Sequence, residues 1–176
     1  MLIRDKLDKV IRTVPHFPKK GISFKDITPL LMDFELSNDI IDAFIHRING
    51  LKVDAIVGVE SRGFLYGFLL ANKMNIPFIP IRKIGKLPGD TLSYKYDLEY
   101  GSSEIEIHRS DIQENWNILI HDDLLATGGT ACAASELLLK LNANIAGFSF
   151  VVNLQYLNGE DKLSKYSSNI ISLIEY

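Results

Sequence analysis

Residues 118–134 constrain the fold more than any other stretch of the chain. They read Ile-Leu-Ile-His-Asp-Asp-Leu-Leu-Ala-Thr-Gly-Gly-Thr-Ala-Cys-Ala-Ala. A short β-prone apolar run, Ile118-Leu119-Ile120, ends in two adjacent acids, Asp122 and Asp123. Small residues follow: Ala126, Thr127, Gly128, Gly129 and Thr130. The alanine- and leucine-rich continuation predicts a helix over residues 129–141. Strand, acids, small-residue loop and helix make half of a βαβ unit, so the chain is expected to be α/β with a central parallel sheet flanked by helices.

Each part of the stretch implies some chemistry. The glycines permit positive φ and remove side chains, so an anion can come close to the backbone. Successive N–H groups at the start of the helix then hold that anion, helped by the helix dipole, and Thr127 and Thr130 add hydroxyls. The acids conflict with this. A carboxylate ~4 Å from a phosphate charge costs about 4 kcal/mol at an effective dielectric of ~20, so Asp122 and Asp123 must face neutral hydroxyls or a cation. A ribose 5-phosphate resolves the conflict, with its 2- and 3-hydroxyls on the acids and its phosphate in the loop. No Gly-x-x-x-x-Gly-Lys-Ser/Thr is present, and no Gly-x-Gly-x-x-Gly follows a strand, which leaves P-loop and dinucleotide sites unsupported.

The stretch resembles the phosphoribosyl-diphosphate motif of the type I phosphoribosyltransferases. The resemblance implies that Asp122 and Asp123 hold the ribose hydroxyls and that Ala126, Thr127, Gly128, Gly129 and Thr130 hold the 5-phosphate.

Composition agrees with one globular domain over residues 1–176. The chain is 47% hydrophobic and 23% charged with a net charge of −3, enough for a real core. The mild acidity gives nucleic-acid binding no support. Four histidines and one cysteine do not form a zinc pattern. Cys132 cannot form an internal disulfide, which suits a reducing compartment. Charges stand at Arg4, Asp5 and Lys6, where a signal peptide needs an apolar run, and no run approaches the ~20 residues of a membrane span. The expectation is a soluble cytoplasmic protein without a membrane partner.

Taken in order, residues 2–14 predict a helix that stops before Pro15. Residues 13–34, with two prolines after Pro15 and a glycine, predict an ordered loop with short extended pieces. Residues 35–50 predict a helix capped by Ser37 or Asn38. The run 54–59 is continuously apolar, as a buried parallel strand is. It leads into Glu60-Ser61-Arg62-Gly63, at the sheet edge where ligands of open parallel sheets bind. Arg62 can grip a diphosphate bidentately, or it can simply pair with Glu60. Residues 92–96 and 104–108 alternate and predict a hairpin. With basic Arg82, Lys83 and Lys86 before it, the excursion over residues 82–110 reads as a lid over a diphosphate; a solvated hairpin is the plainer alternative. His121 reads as a hydrogen-bonded core histidine beside the acids. Residues 145–154 and 169–174 predict further strands, with a short helix or turn over 159–166.

The resemblance sharpens toward the adenine-using members of the family. It is carried by Phe17-Pro18-x-x-Gly21-x-x-Phe24-x-Asp26-Ile27-x-Pro29, by Gly85-Lys86-Leu87-Pro88-Gly89 and by Leu98-Glu99-Tyr100-Gly101. Those members more often have an aliphatic residue at Ser23 and arginine at Lys25. It implies a hood over residues 13–34 in which Phe24 stacks on adenine and the backbone at Ser23 and Lys25 reads its edge. It implies that Glu60, Ser61, Arg62, Arg82, Lys83 and Lys86 meet the diphosphate, with a cis peptide bond between Glu60 and Ser61. It assigns catalysis to Glu99, as the proton carrier, and to Arg62. It implies Mg²⁺ held mainly by substrate and water rather than by protein ligands, and a homodimer. The implied reaction is transfer of phosphoribosyl from phosphoribosyl diphosphate to adenine, giving AMP and diphosphate in purine salvage. Two alternatives stay open: transfer to another purine, and a non-catalytic sensor of phosphoribosyl diphosphate.

Overall fold

The computed structural model describes residues 1–97 and 101–176. The first helix, α1 (Ile3–Val10), is shorter than its periodicity predicts. Residues 12–15 leave it to form β1 (Arg12–Pro15), antiparallel to β2 (Ser23–Asp26), in a small separate sheet. Thr13 and Val14 are β-branched and favour the pleated backbone once a partner strand exists. A 3-10 turn, Thr28–Met32, leads into α2 (Phe34–Ile48), and Asp33 caps that helix by accepting from the Leu36 N–H at 2.9 Å. The predicted caps, Ser37 and Asn38, lie inside the helix instead. The Ser37 hydroxyl bonds the Leu30 carbonyl and is 3.2 Å from the Tyr66 hydroxyl.

The large sheet contains β3 (Ala55–Val59), β4 (Phe78–Lys83), β5 (Thr91–Asp97), β6 (Ser102–His108), β7 (Asn117–Leu125), β8 (Asn144–Asn153) and β9 (Ile170–Glu175). Their order is β5-β6-β4-β3-β7-β8-β9. Strands β4, β3, β7, β8 and β9 run parallel, and the β5–β6 hairpin adds antiparallel to β4. The crossovers are α3 (Gly63–Met74), between β3 and β4, and α4 (Gly129–Lys140), between β7 and β8, followed later by the short α5 (Gly159–Leu163).

Alternation along β7 sorts the core into two layers, because successive side chains point to opposite faces. Leu119 packs with Phe44, Tyr66 and Leu70 under α2 and α3. Ile118 and Ile120 pack with Ala134, Leu137 and Leu138 under α4. The predicted hairpin is present, but its inner face is part of this second layer, where Leu92, Tyr94 and Tyr96 lie against the core. Strand β7 also extends further than predicted. It passes through both acids to Leu125, with Asp122 opposite Phe150 and Leu124 opposite Val152 on β8.

Candidate active site

The carboxyl ends of β3 and β7 meet the starts of α3 and α4 in one trough. The peptide bond between Glu60 and Ser61 is cis, as expected. A cavity of about 340 Å³ is lined by Glu60, Ser61, Arg62, Lys83, Asp122, Asp123, Leu124 and Thr130. It adjoins a pocket of about 80 Å³ formed by Ala126, Thr127, Gly128, Gly129 and Thr130 with Asp122 and Leu124. Sharing Ala126 and Thr127 with that pocket is a larger and more apolar cavity of about 620 Å³, bounded by Ser23, Phe24, Lys25, Leu154, Leu157 and Tyr176 among others. The trough thus has a polar end, a small glycine-lined middle and an apolar end.

Two glycines make the geometry possible. Gly63 opens α3 hard against β7: a Cβ there would stand 2.9 Å from the His121 carbonyl oxygen and 3.0 Å from Asp122 Oδ1. Gly128 has φ +78°, a conformation side chains disfavour, and its missing Cβ would meet the Gly159 carbonyl oxygen at 2.9 Å. The loop is therefore seated on the start of α5 as well as on α4.

The charges pair across the cavity, and Arg62 does not take the plainer alternative of pairing with Glu60. Arg62 Nε donates to Asp123 Oδ2 at 2.5 Å. Glu60 instead accepts from the Lys83 N–H at 2.9 Å and from Arg82 Nε at 3.3 Å. The Lys83 N–H holds the Glu60 carboxyl below its ordinary range, with Arg82 adding to the effect, so Glu60 stays charged and anchors the root of the hairpin. Asp122 differs. Burial pushes its carboxyl well above the usual range, and the Asp123 charge beside it pushes further. Asp122 Oδ1 accepts the Asp123 N–H at 2.8 Å. A carboxyl that keeps a proton can donate to a hydroxyl as well as accept from one. Although Asp123 is ion-paired, the cavity beside Asp122 stays open to a pentose-sized ligand.

His121 is completely buried, edge-on to Phe44 at 5.4 Å between ring centroids. Its Nδ1 lies 2.9 Å from the Ser149 hydroxyl, but Nε2 has no partner among the described residues. The expected satisfied histidine is therefore only half satisfied. Burial lowers its pKa to about 3, so the ring is neutral.

The sequence-derived groups fall into place unevenly. Asp122, Asp123, Glu60, Ser61, Arg62, Lys83 and Thr130 line the polar cavity. Arg82 is engaged with Glu60 and with the Lys86 carbonyl, while Lys86 does not line it. The Tyr96 hydroxyl stands 3.2 Å from Thr130 Oγ1, bringing the hairpin onto the loop. Ser23, Phe24 and Lys25 bound the apolar cavity, with the Phe24 ring edge-on to Phe17 and the Arg62 guanidinium 5.5 Å from its centroid. Glu99 lies outside the described residues. The sequence reading missed Leu154, Leu157 and Tyr176, which no local motif marks.

This trough at the carboxyl edge of a parallel sheet belongs to a known class. The phosphoribosyl transferase domain family matches residues 33–174, and the chain belongs to that family. Within it the chain sides with the adenine phosphoribosyltransferases. It is 49% identical to adenine phosphoribosyltransferase of Desulfitobacterium hafniense over 96% of each chain, and 47% identical to that of Christiangramia forsetii over 97% of this chain and 99% of the relative. Among solved structures it resembles adenine phosphoribosyltransferase from Thermoanaerobacter pseudethanolicus at 45% identity and a TM-score of 0.94, covering 98% and 99% of the two chains. The Saccharomyces cerevisiae enzyme, complexed with an imino-altritol bisphosphate and adenine, matches at 39% identity and a TM-score of 0.90 over 97% and 98%.

Proposed function

We propose that this chain transfers a 5-phosphoribosyl group from phosphoribosyl diphosphate to adenine, releasing diphosphate and forming AMP. The observation that carries the reading is the three-part trough: carboxyls and cations at one end, a glycine-lined anion pocket between, and an apolar slot faced by Phe24 at the other. The bond from the anomeric carbon to the diphosphate oxygen breaks as a bond to a purine nitrogen forms, through an oxocarbenium-like state. Asp122 and Asp123 hold the ribose hydroxyls, and the loop from Ala126 to Thr130 holds the 5-phosphate, so the anomeric carbon faces the base. Arg62 and Lys83 take up charge developing on the diphosphate, which requires Arg62 to loosen its hold on Asp123. Phe24 stacks on the purine, the backbone at Ser23 and Lys25 reads its edge, and Glu99 receives the purine proton. Arg82 and Lys86 act from the hairpin, residues 82–110, which serves as the lid, and residues 13–34 serve as the hood of a single domain.

The donor set suits Mg²⁺ carried in with the substrate. Hard oxygen groups line the polar cavity, the Asp122 carboxyl and the Ser61 hydroxyl among them. No group of three His, Cys, Asp or Glu suited to a metal occurs among the described residues. When bound, the ion would neutralise diphosphate charge.

Two further parts of the reading concern assembly and location. A homodimer is supported by apolar side chains left in water on neighbouring elements, Met32 at 83%, Phe34 at 79% and Phe68 at 56% exposure. Sedimentation should give twice the chain mass. A cytoplasmic setting is supported by the free Cys132 thiol, and among the described residues no helix is long and apolar enough to cross a membrane. The deciding assay is purified protein with Mg²⁺, phosphoribosyl diphosphate and adenine in competition with hypoxanthine and guanine. AMP should be the product; absence of turnover with every base overturns the reading.

A further inference from the structure

The β1–β2 pair contributes Phe24 and Lys25 to the base cavity, yet it has four residues in each strand. Two strands of that length are marginal alone, so something outside them must fix their position. One support is the ring of Tyr176, which forms a wall of the same cavity. Lys25 Nζ sits 3.6 Å from the Tyr176 ring centroid, within cation–π range. The same ammonium donates to Thr13 Oγ1 at 3.0 Å, which ties both strands of the hairpin to the ring. Tyr176 is itself held from three sides. Its hydroxyl donates to Asp8 Oδ1 on α1 at 2.9 Å. Its N–H donates to the Asn153 carbonyl at 2.9 Å, and its carbonyl accepts from the Gln155 N–H at 3.0 Å. Asn153 pairs with Leu125 at the end of β7, directly before the loop that begins at Ala126.

We infer that Tyr176 is a positioning residue for the base: its ring clamps Lys25 and thereby fixes the hood strand at a set height above the anion loop. The inference rests on the proposed function, since it treats the apolar cavity as the purine slot. The two ends of the trough are thereby kept in register through one side chain. The backbone of Tyr176 is fastened to Asn153, beside the end of β7, and its ring face holds the strand that carries the base end. Burial first, and then the Asp8 contact, push the phenol upward, so at ordinary pH the hydroxyl stays a donor.

The test uses the full chain with Tyr176→Ala and Tyr176→Phe, and two readouts. Steady-state kinetics separates KM for adenine, KM for phosphoribosyl diphosphate and kcat. Hydrogen exchange of residues 12–26 in the ligand-free protein reads hood stability without any substrate. Losing a cation–π contact should raise adenine KM about fivefold in Tyr176→Ala and speed hood exchange by a similar factor, with the other two kinetic constants within about twofold. Tyr176→Phe keeps the ring and should stay within about twofold of the unaltered protein in both readouts. An unchanged adenine KM in Tyr176→Ala overturns the inference, as does equal damage in the phenylalanine variant or a uniform fall in all constants. If the unaltered protein fails to use adenine, the proposed function falls, while the exchange rates still decide whether Tyr176 holds the hood.

Discussion

The two ends of the trough are built on opposite plans. The sugar-phosphate end is built around one continuous piece of chain, residues 118–134, in which strand, acids, loop and helix follow in order, with residues 60–62 and Lys83 brought in beside it. The base end is assembled from residues that are far apart: 21–25, 126–127, 154–157 and 176. In the first, both acids belong to β7, where Asp122 stands opposite Phe150 on β8 and the Asp123 N–H turns back to the Asp122 carboxyl. The second depends on side-chain contacts between a small two-stranded sheet and the edge of the large one. Continuity in sequence gives precision, and assembly from distant parts gives a site whose specificity can change one contact at a time.

Substitutions at the two ends should separate the plans. The largest effect is expected at the continuous end. Asp123→Asn removes a charge paired with Arg62 and the contact to ribose that the proposed function gives it, so kcat/KM for phosphoribosyl diphosphate should fall about 100-fold or more. Because β7 keeps its backbone pairing, the melting temperature should shift by only a few degrees. A collapse in melting temperature would show that the acid serves the fold and would break the comparison. At the assembled end, Phe24→Ala should raise KM for adenine about tenfold, the scale of one aromatic stacking contact, with KM for phosphoribosyl diphosphate nearly unchanged. Parallel changes in both constants would mean that the ends are not separable.

The third effect, on stability rather than turnover, concerns the root of the continuous end. The unfolded chain protonates His121 near pH 6.5, whereas burial delays this in the folded protein to about 3. Between those values the unfolded state binds the extra proton, so stability falls as pH falls, by up to about 1.4 kcal/mol per pH unit. From pH 6.5 to 5 the integrated loss is about 1.6 kcal/mol, or roughly 3–6 °C in melting temperature for a chain of this size. His121→Val should lose this acid sensitivity while forfeiting the Ser149 contact, a balance that calorimetry at two pH values would read.

What could be read in the sequence follows the same division. The strand, acids, loop and helix were legible because their order along the chain is their order in space. The hairpin over residues 92–108 was legible because its alternation is local. The failures are non-local. Residues 12–15 fit a helical spacing, and only the partner strand Ser23–Asp26 makes them extended. Asp33 outcompetes Ser37 and Asn38 as a cap because the helix begins a turn earlier than its apolar stripe. Arg62 reaches Asp123, 61 positions away, rather than its neighbour Glu60. Leu154, Leu157 and Tyr176 carry no signature until β8 and β9 bring them beside the hood.

Asp122 and Asp123 lie within β7 rather than in the loop after it, so their backbone has little freedom to lose when a ligand arrives. On the proposed function, capture of a sugar phosphate would then consist of exchanging water and the Arg62 side chain for ligand oxygens beside a strand that is already extended. Binding at that end should be quick and nearly independent of chain motion, and slow conformational steps in a turnover should trace to the hood and the hairpin.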